Sequence, residues 1–167
     1  GVSPWTVLAQ GISTKTDLSV GTTTFLISIT ILIFWLPLKQ VPGIGTILNA
    51  IIIAATIDLT LPYLPQPNDT YLKLLQACMG IFVVGLGSGI YLISNLGPGP
   101  RDGLMIGLQK QTGTSIPLIR TILELSAVIS GWFLGGVVGI GTVLFVFGIG
   151  PCVGIGLTLV EKISKKP

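Results

Sequence analysis

Nine basic and six acidic side chains carry all the formal side-chain charge of this 167-residue chain, and histidine is absent. A few of them stand where they could do chemistry. Arg101 and Asp102 follow Pro100 at the head of the segment GPGPRDGLMIGLQKQTG. An arginine beside the free backbone N–H groups of a helix start attracts an anion, and Asp102 would cap the helix or orient Arg101. The competing reading is a solvated first turn at a membrane surface. Glu124 lies inside a long apolar run, where an ionisable group is costly and marks a functional site by default. Arg120 sits four residues earlier on the same helical face, so an ion pair is available. That pair is either part of a site or a structural pair with Arg120 reaching to the interface. Thr46 and Thr142 close two copies of Gly-Ile-Gly-Thr, at 43–46 and 139–142. Their hydroxyls would bond to backbone or to a substrate. Asp58 is a pathway residue or, on the plainer reading, an interfacial carboxylate.

Several chemistries find no support. No nucleophile–base pair, phosphate-binding loop or pair of carboxylates on one face is visible, so no catalytic residue is expected and the chain is read as a non-enzyme. Cys78 and Cys152 are far apart within apolar runs and read as small buried hydrophobes. No metal-ligand spacing occurs, and no metal or cofactor is expected. The basic residues form no stripe with interleaved aromatics, so nucleic acid is not an expected partner.

The elements that must carry these residues are membrane helices. Half the residues are hydrophobic and 9% are charged, whereas soluble domains carry roughly 25% charged residues. Mean hydropathy is +0.89. A spanning helix needs about 20 mostly apolar residues. The charge-poor windows predict five spans, roughly 21–38, 43–61, 72–94, 117–135 and 139–160. The runs are apolar all round, which excludes the alternation of a membrane β-barrel. Segments 4–14 and 100–111 are too short to span and read as interfacial or re-entrant helices. Gly99, Gly103 and Gly107 recur every four residues, a spacing that lets a second backbone approach closely.

Lysines 162, 165 and 166 place the C-terminus in the cytoplasm by the positive-inside rule. Lys39, Arg101, Lys110 and Arg120 then fall on the same side, and Lys15 and Lys73 outside.

A shift of 96 residues superposes the sequence on itself. Gly1 falls on Gly97, Pro4 on Pro100, Gly11 on Gly107 and the two Gly-Ile-Gly-Thr segments on each other. The whole, 1–167, is thus one membrane domain of two units, 1–96 and 97–167. One period, 1–96, holds a short helix and three spans, and 97–167 holds the second short helix and two. Three is odd, so the second unit enters the membrane from the opposite side, the inverted repeat of many secondary transporters. The scheme implies a first span of the first unit lying before Gly1. The expected fold is therefore an all-α polytopic transmembrane bundle of two inverted-topology repeats.

The stretch from Gly97 to Pro151 resembles bacterial YczE/YitT-type membrane proteins. Its most specific part is Gly99-Pro100-Arg101-Asp102-Gly103-Leu104, followed by Arg120, Glu124, Trp132 and Gly139 to Thr142. The resemblance implies a multi-pass protein of the bacterial inner membrane and no particular activity. Two functions remain open. One is a small-solute transporter or channel, its site between the two short helices and its partner an anionic or zwitterionic solute. The other is a non-transporting accessory protein that binds lipid or a partner protein through the Gly99–Gly107 helix.

Overall fold

A computed structural model of the chain describes residues 1–93 and 96–164. All its regular structure is helical: α1 (Pro4–Thr16), α2 (Val20–Trp35), α3 (Ile44–Thr60) with a 3-10 turn at Leu61–Tyr63, α4 (Thr70–Ile93), α5 (Pro100–Thr112), α6 (Ile116–Phe133) and α7 (Ile140–Ser164). Lys165 and Lys166 lie outside the described residues, as does the side chain of Lys162.

Local chemistry sets the helix ends. Ser3 caps α1 by accepting from Thr6 N, with Pro4 in the first turn, and Ser19 caps α2 by accepting from Thr22 N. These are orphan N–H groups that a hydroxyl satisfies. Asp17 ends α1 and Gly113 ends α5, both in the left-handed region. Between α1 and α2 the chain turns by 113°.

Length separates the expected spans. Among the described residues, Ile44–Tyr63 and Thr70–Tyr91 are each long and apolar enough to cross a membrane, and a third crossing exists if the bent pair α1–α2 counts as one. Helix α2 has 16 residues, about 24 Å at 1.5 Å per residue, against a hydrocarbon core of about 30 Å. Ile140–Gly156 is a shorter apolar helix. Helices thus stand where all five spans were expected, while the spans that length and composition alone support number two or three.

Helix α4 packs along α7, α1 against α6, α2 against α3 and α5 against α2. The core between α1, α2 and α5 is built from Ala9, Ile27, Ile31, Trp35, Leu38 and Leu104. Small residues allow these approaches. A Cβ on Gly103 would overlap the Trp35 ring, and one on Gly11 would overlap the Gly131 carbonyl. Large apolar side chains such as Phe34, Ile52, Val83 and Phe147 remain outward-facing, the inside-out dressing of a bundle whose solvent is hydrocarbon. Cys78 belongs to this outer face rather than to the core, and Cys152 is half-buried. The sequence reading had buried both. In a membrane helix an apolar outward position suits a thiol as well as a core position does.

Candidate functional site

A cavity of about 150 Å³ lies at the N-terminus of α5, and charge is concentrated there. Helix α5 begins at Gly99, which provides no side-chain cap, with Pro100 in its first turn. Trp35, 1% exposed, holds this start in place by donating from Nε1 to the Pro100 carbonyl at 3.0 Å. Arg101 and Asp102 follow and both line the cavity, as do Arg120 and Glu124 of α6 and Trp5 of α1. Four of the six expected site residues thus converge on one space.

Their partners differ. The Arg101 guanidinium carbon lies 5.0 Å from the Trp5 ring centroid, a cation–π distance. Arg101 makes no ion pair among the described residues. Asp102 Oδ2 accepts from the Tyr91 hydroxyl of α4, and that hydroxyl also accepts from Gly99 N at 3.4 Å. Arg120 Nε donates to Glu124 Oε1 at 3.0 Å, with Glu124 5% exposed. The pair lines the cavity, with the Arg120 side chain 26% exposed. Arg101, half-buried, likewise lines the cavity and packs against Trp5.

Thr46 and Thr142 do not join this group. Both are buried, and each accepts from the glycine that opens its helix, Gly43 N to Thr46 Oγ1 at 3.1 Å and Gly139 N to Thr142 Oγ1 at 3.3 Å. Thr46 Oγ1 also donates to the Pro98 carbonyl at 2.7 Å. This ties the start of α3 to the segment that leads into α5. Neither threonine lines the cavity, so their place is helix capping. Asp58 likewise caps α2 from α3. It accepts from Ser19 Oγ at 2.5 Å and from Gly21 N at 2.7 Å.

Reading charges alone missed the neutral half of the lining. Ser28, Asn49, Ser88 and Tyr91 all face the cavity. Ser28 carried a detectable signal, because it stands 96 positions before Glu124, while Tyr91 and Ser88 carried none.

Long apolar helices around a cavity lined by charged side chains define a helical membrane protein. The chain belongs to DUF6198, a family of unknown function that matches residues 1–157. It is 41% identical over all 167 residues to an uncharacterized protein of Haemophilus influenzae, covering 77% of that protein. It is 32% identical over 145 residues, 86% of this chain and 67% of the relative, to the uncharacterized membrane protein YczE of Bacillus subtilis. A third relative, YyaS of the same organism, is 30% identical over 97% of this chain and 83% of its own length. No solved structure matches this chain.

Proposed function

We propose that this protein is a non-enzymatic multi-pass transporter or channel of the bacterial inner membrane, and that the cavity at Arg101 is its site for a small anionic or zwitterionic solute. The observation that carries the reading is the cavity's relation to the 96-residue shift. Its lining includes both members of four shifted pairs: Trp5 and Arg101, Ser28 and Glu124, Asn49 and Phe145, Ile53 and Ile149. A space bordered by both members of so many pairs sits where an axis relating two halves would pass. In transporters built from inverted repeats, the solute site lies at the repeat interface near the bilayer midplane.

The helix register supports the duplication. Under the same shift α1 begins where α5 begins, α2 where α6 begins and α3 where α7 begins. The contacts follow: α1 packs on α6 as α5 packs on α2. Gly1 lies against Gly139 and Thr142 as Gly97 lies against Gly43 and Thr46. On this reading α2, α3, α4, α6 and α7 are the membrane-crossing helices, α1 and α5 are short helices that meet at the site, and the two units run in opposite directions. The C-terminus is then cytoplasmic. Support for that orientation comes from Lys39, Lys110 and lysines 162, 165 and 166, against Lys15 and Lys73. Arg101 and Arg120 drop out of the count because they face the cavity.

The test is flux of radiolabelled small solutes into proteoliposomes. Arg101→Ala and Glu124→Gln are expected to abolish it, scored on protein that elutes as a folded species. Unchanged flux in both variants overturns the assignment of the site. A wild-type protein that co-purifies with a lipid or partner and moves no solute overturns transport in favour of an accessory role.

A further inference from the structure

The cavity's charges do not all remain available to a ligand. Arg120 and Glu124 neutralise each other at 3.0 Å. That leaves Arg101, with no ion pair among the described residues, and Asp102, whose carboxylate is held by the Tyr91 hydroxyl. They are neighbours in the first turn of α5, and both line the same space. A purely anionic solute seated on Arg101 would meet the Asp102 carboxylate, and a purely cationic one seated on Asp102 would meet the Arg101 guanidinium. Like charges repel, the more strongly the less water lies between them. A solute that carries both signs satisfies both residues.

We infer that the solute is a small ammonium carboxylate, with its carboxylate on Arg101 and its ammonium group on Asp102. This inference rests on the transport reading above for the identity of the cavity as the solute site. Guanidinium presents a planar fork of N–H donors that matches a carboxylate. Trp5 packs against the Arg101 guanidinium, which lines the cavity. Asp102, held by Tyr91, retains acceptor capacity for an ammonium group, since an ionised carboxylate has about four lone-pair sites. Size limits the rest. The volume is about 150 Å³, near that of a cavity that takes a benzene-sized guest, roughly six heavy atoms. Glycine, alanine and β-alanine are of that scale. A lipid headgroup joined to its glycerol and acyl chains is far larger. Ser28, Asn49 and Ser88 add uncharged polar groups to a lining that is otherwise largely apolar, with Ile53, Phe145 and Ile149 among it.

The experiment is isothermal titration of the detergent-purified protein with a panel of probes at fixed ionic strength. The probes are glycine, L-alanine and β-alanine, propionate as the anion alone, ethylammonium as the cation alone, and short-chain phosphatidylserine as a headgroup source. At least one zwitterion is expected to bind tenfold or more tightly than propionate and ethylammonium, a ratio typical of one charge-assisted contact. Arg101→Gln should weaken zwitterion binding by about tenfold to a hundredfold. Asp102→Asn should bring propionate to the affinity of the zwitterion or above it. Propionate binding the wild type as tightly as the zwitterions overturns the inference, as does binding by phosphatidylserine alone or by no probe. The wild-type comparison needs no variant to fold. A zwitterion that binds and is not moved across proteoliposomes removes transport and leaves the ligand class standing. Flux of propionate alone does the reverse.

Discussion

The guanidinium carbon of Arg101 sits 5.0 Å from the centre of the Trp5 ring, and the two residues are 96 positions apart, each the second residue of its short helix. The ring thus lines the cavity proposed as the solute site. A cation–π contact contributes about 0.5–2 kcal/mol, more where water is excluded. Trp5→Leu is expected to leave the protein folded and to weaken solute binding by roughly twofold to thirtyfold, with Trp5→Phe in between. Titration calorimetry on the three proteins reads this directly. Equal affinities would remove Trp5 from the site.

Arg120 and Glu124 form a pair in which one member is almost fully enclosed. Removing one partner of a buried pair leaves an uncompensated charge, at about 3–5 kcal/mol, whereas replacing both is often neutral. Arg120→Leu and Glu124→Leu should each lower stability, with Arg120→Leu at the upper end because it strands the more buried group. The double variant should recover most of the loss. Denaturant unfolding in detergent micelles measures all three. Additive losses in the double variant would show that the two side chains do not depend on each other.

Trp35 rests on Gly103 and hydrogen-bonds the Pro100 carbonyl. Gly103→Ala forces a methyl into a rigid indole, an overpacking cost of about 1–3 kcal/mol. The ring would also be pushed away from Pro100, loosening the start of α5. Lower thermal stability together with weaker solute binding is therefore expected. A fully stable Gly103→Ala protein would mean that α5 and α2 are not packed as closely as described.

The helices were legible because lipid-facing and core positions are both apolar, so each span reads as a charge-free run, and because Pro4, Pro100, Gly43 and Gly139 punctuate the chain at its helix starts. The convergence of Arg101, Asp102, Arg120 and Glu124 was legible in kind, since charges are rare and costly in hydrocarbon. The roles of Thr46, Thr142 and Asp58 were not. Whether a hydroxyl or carboxylate caps a helix or faces a ligand depends on the neighbour across the bundle, such as Pro98 for Thr46 or Ser19 for Asp58, and no local pattern encodes that neighbour. Tyr91 was invisible for a related reason: its hydroxyl, near the end of α4, meets Asp102 in the first turn of the next helix, and no local pattern encodes that contact. The span count was blurred at α2, where the hydrophobic run continues past the residue at which the backbone leaves the helix before Pro37.

The unlike faces of the cavity bear on ancestry. Two separate copies of one unit, paired head to tail, would set the same residue on each side of the axis: two guanidiniums in mutual repulsion, or two indoles with no charge to offer. On the proposed duplication, a tryptophan set against an arginine requires two copies free to diverge, whether fused in one chain or encoded as two genes. Divergence of the two units is then a precondition of the proposed site's chemistry, and a pair of identical units would have to bind something else.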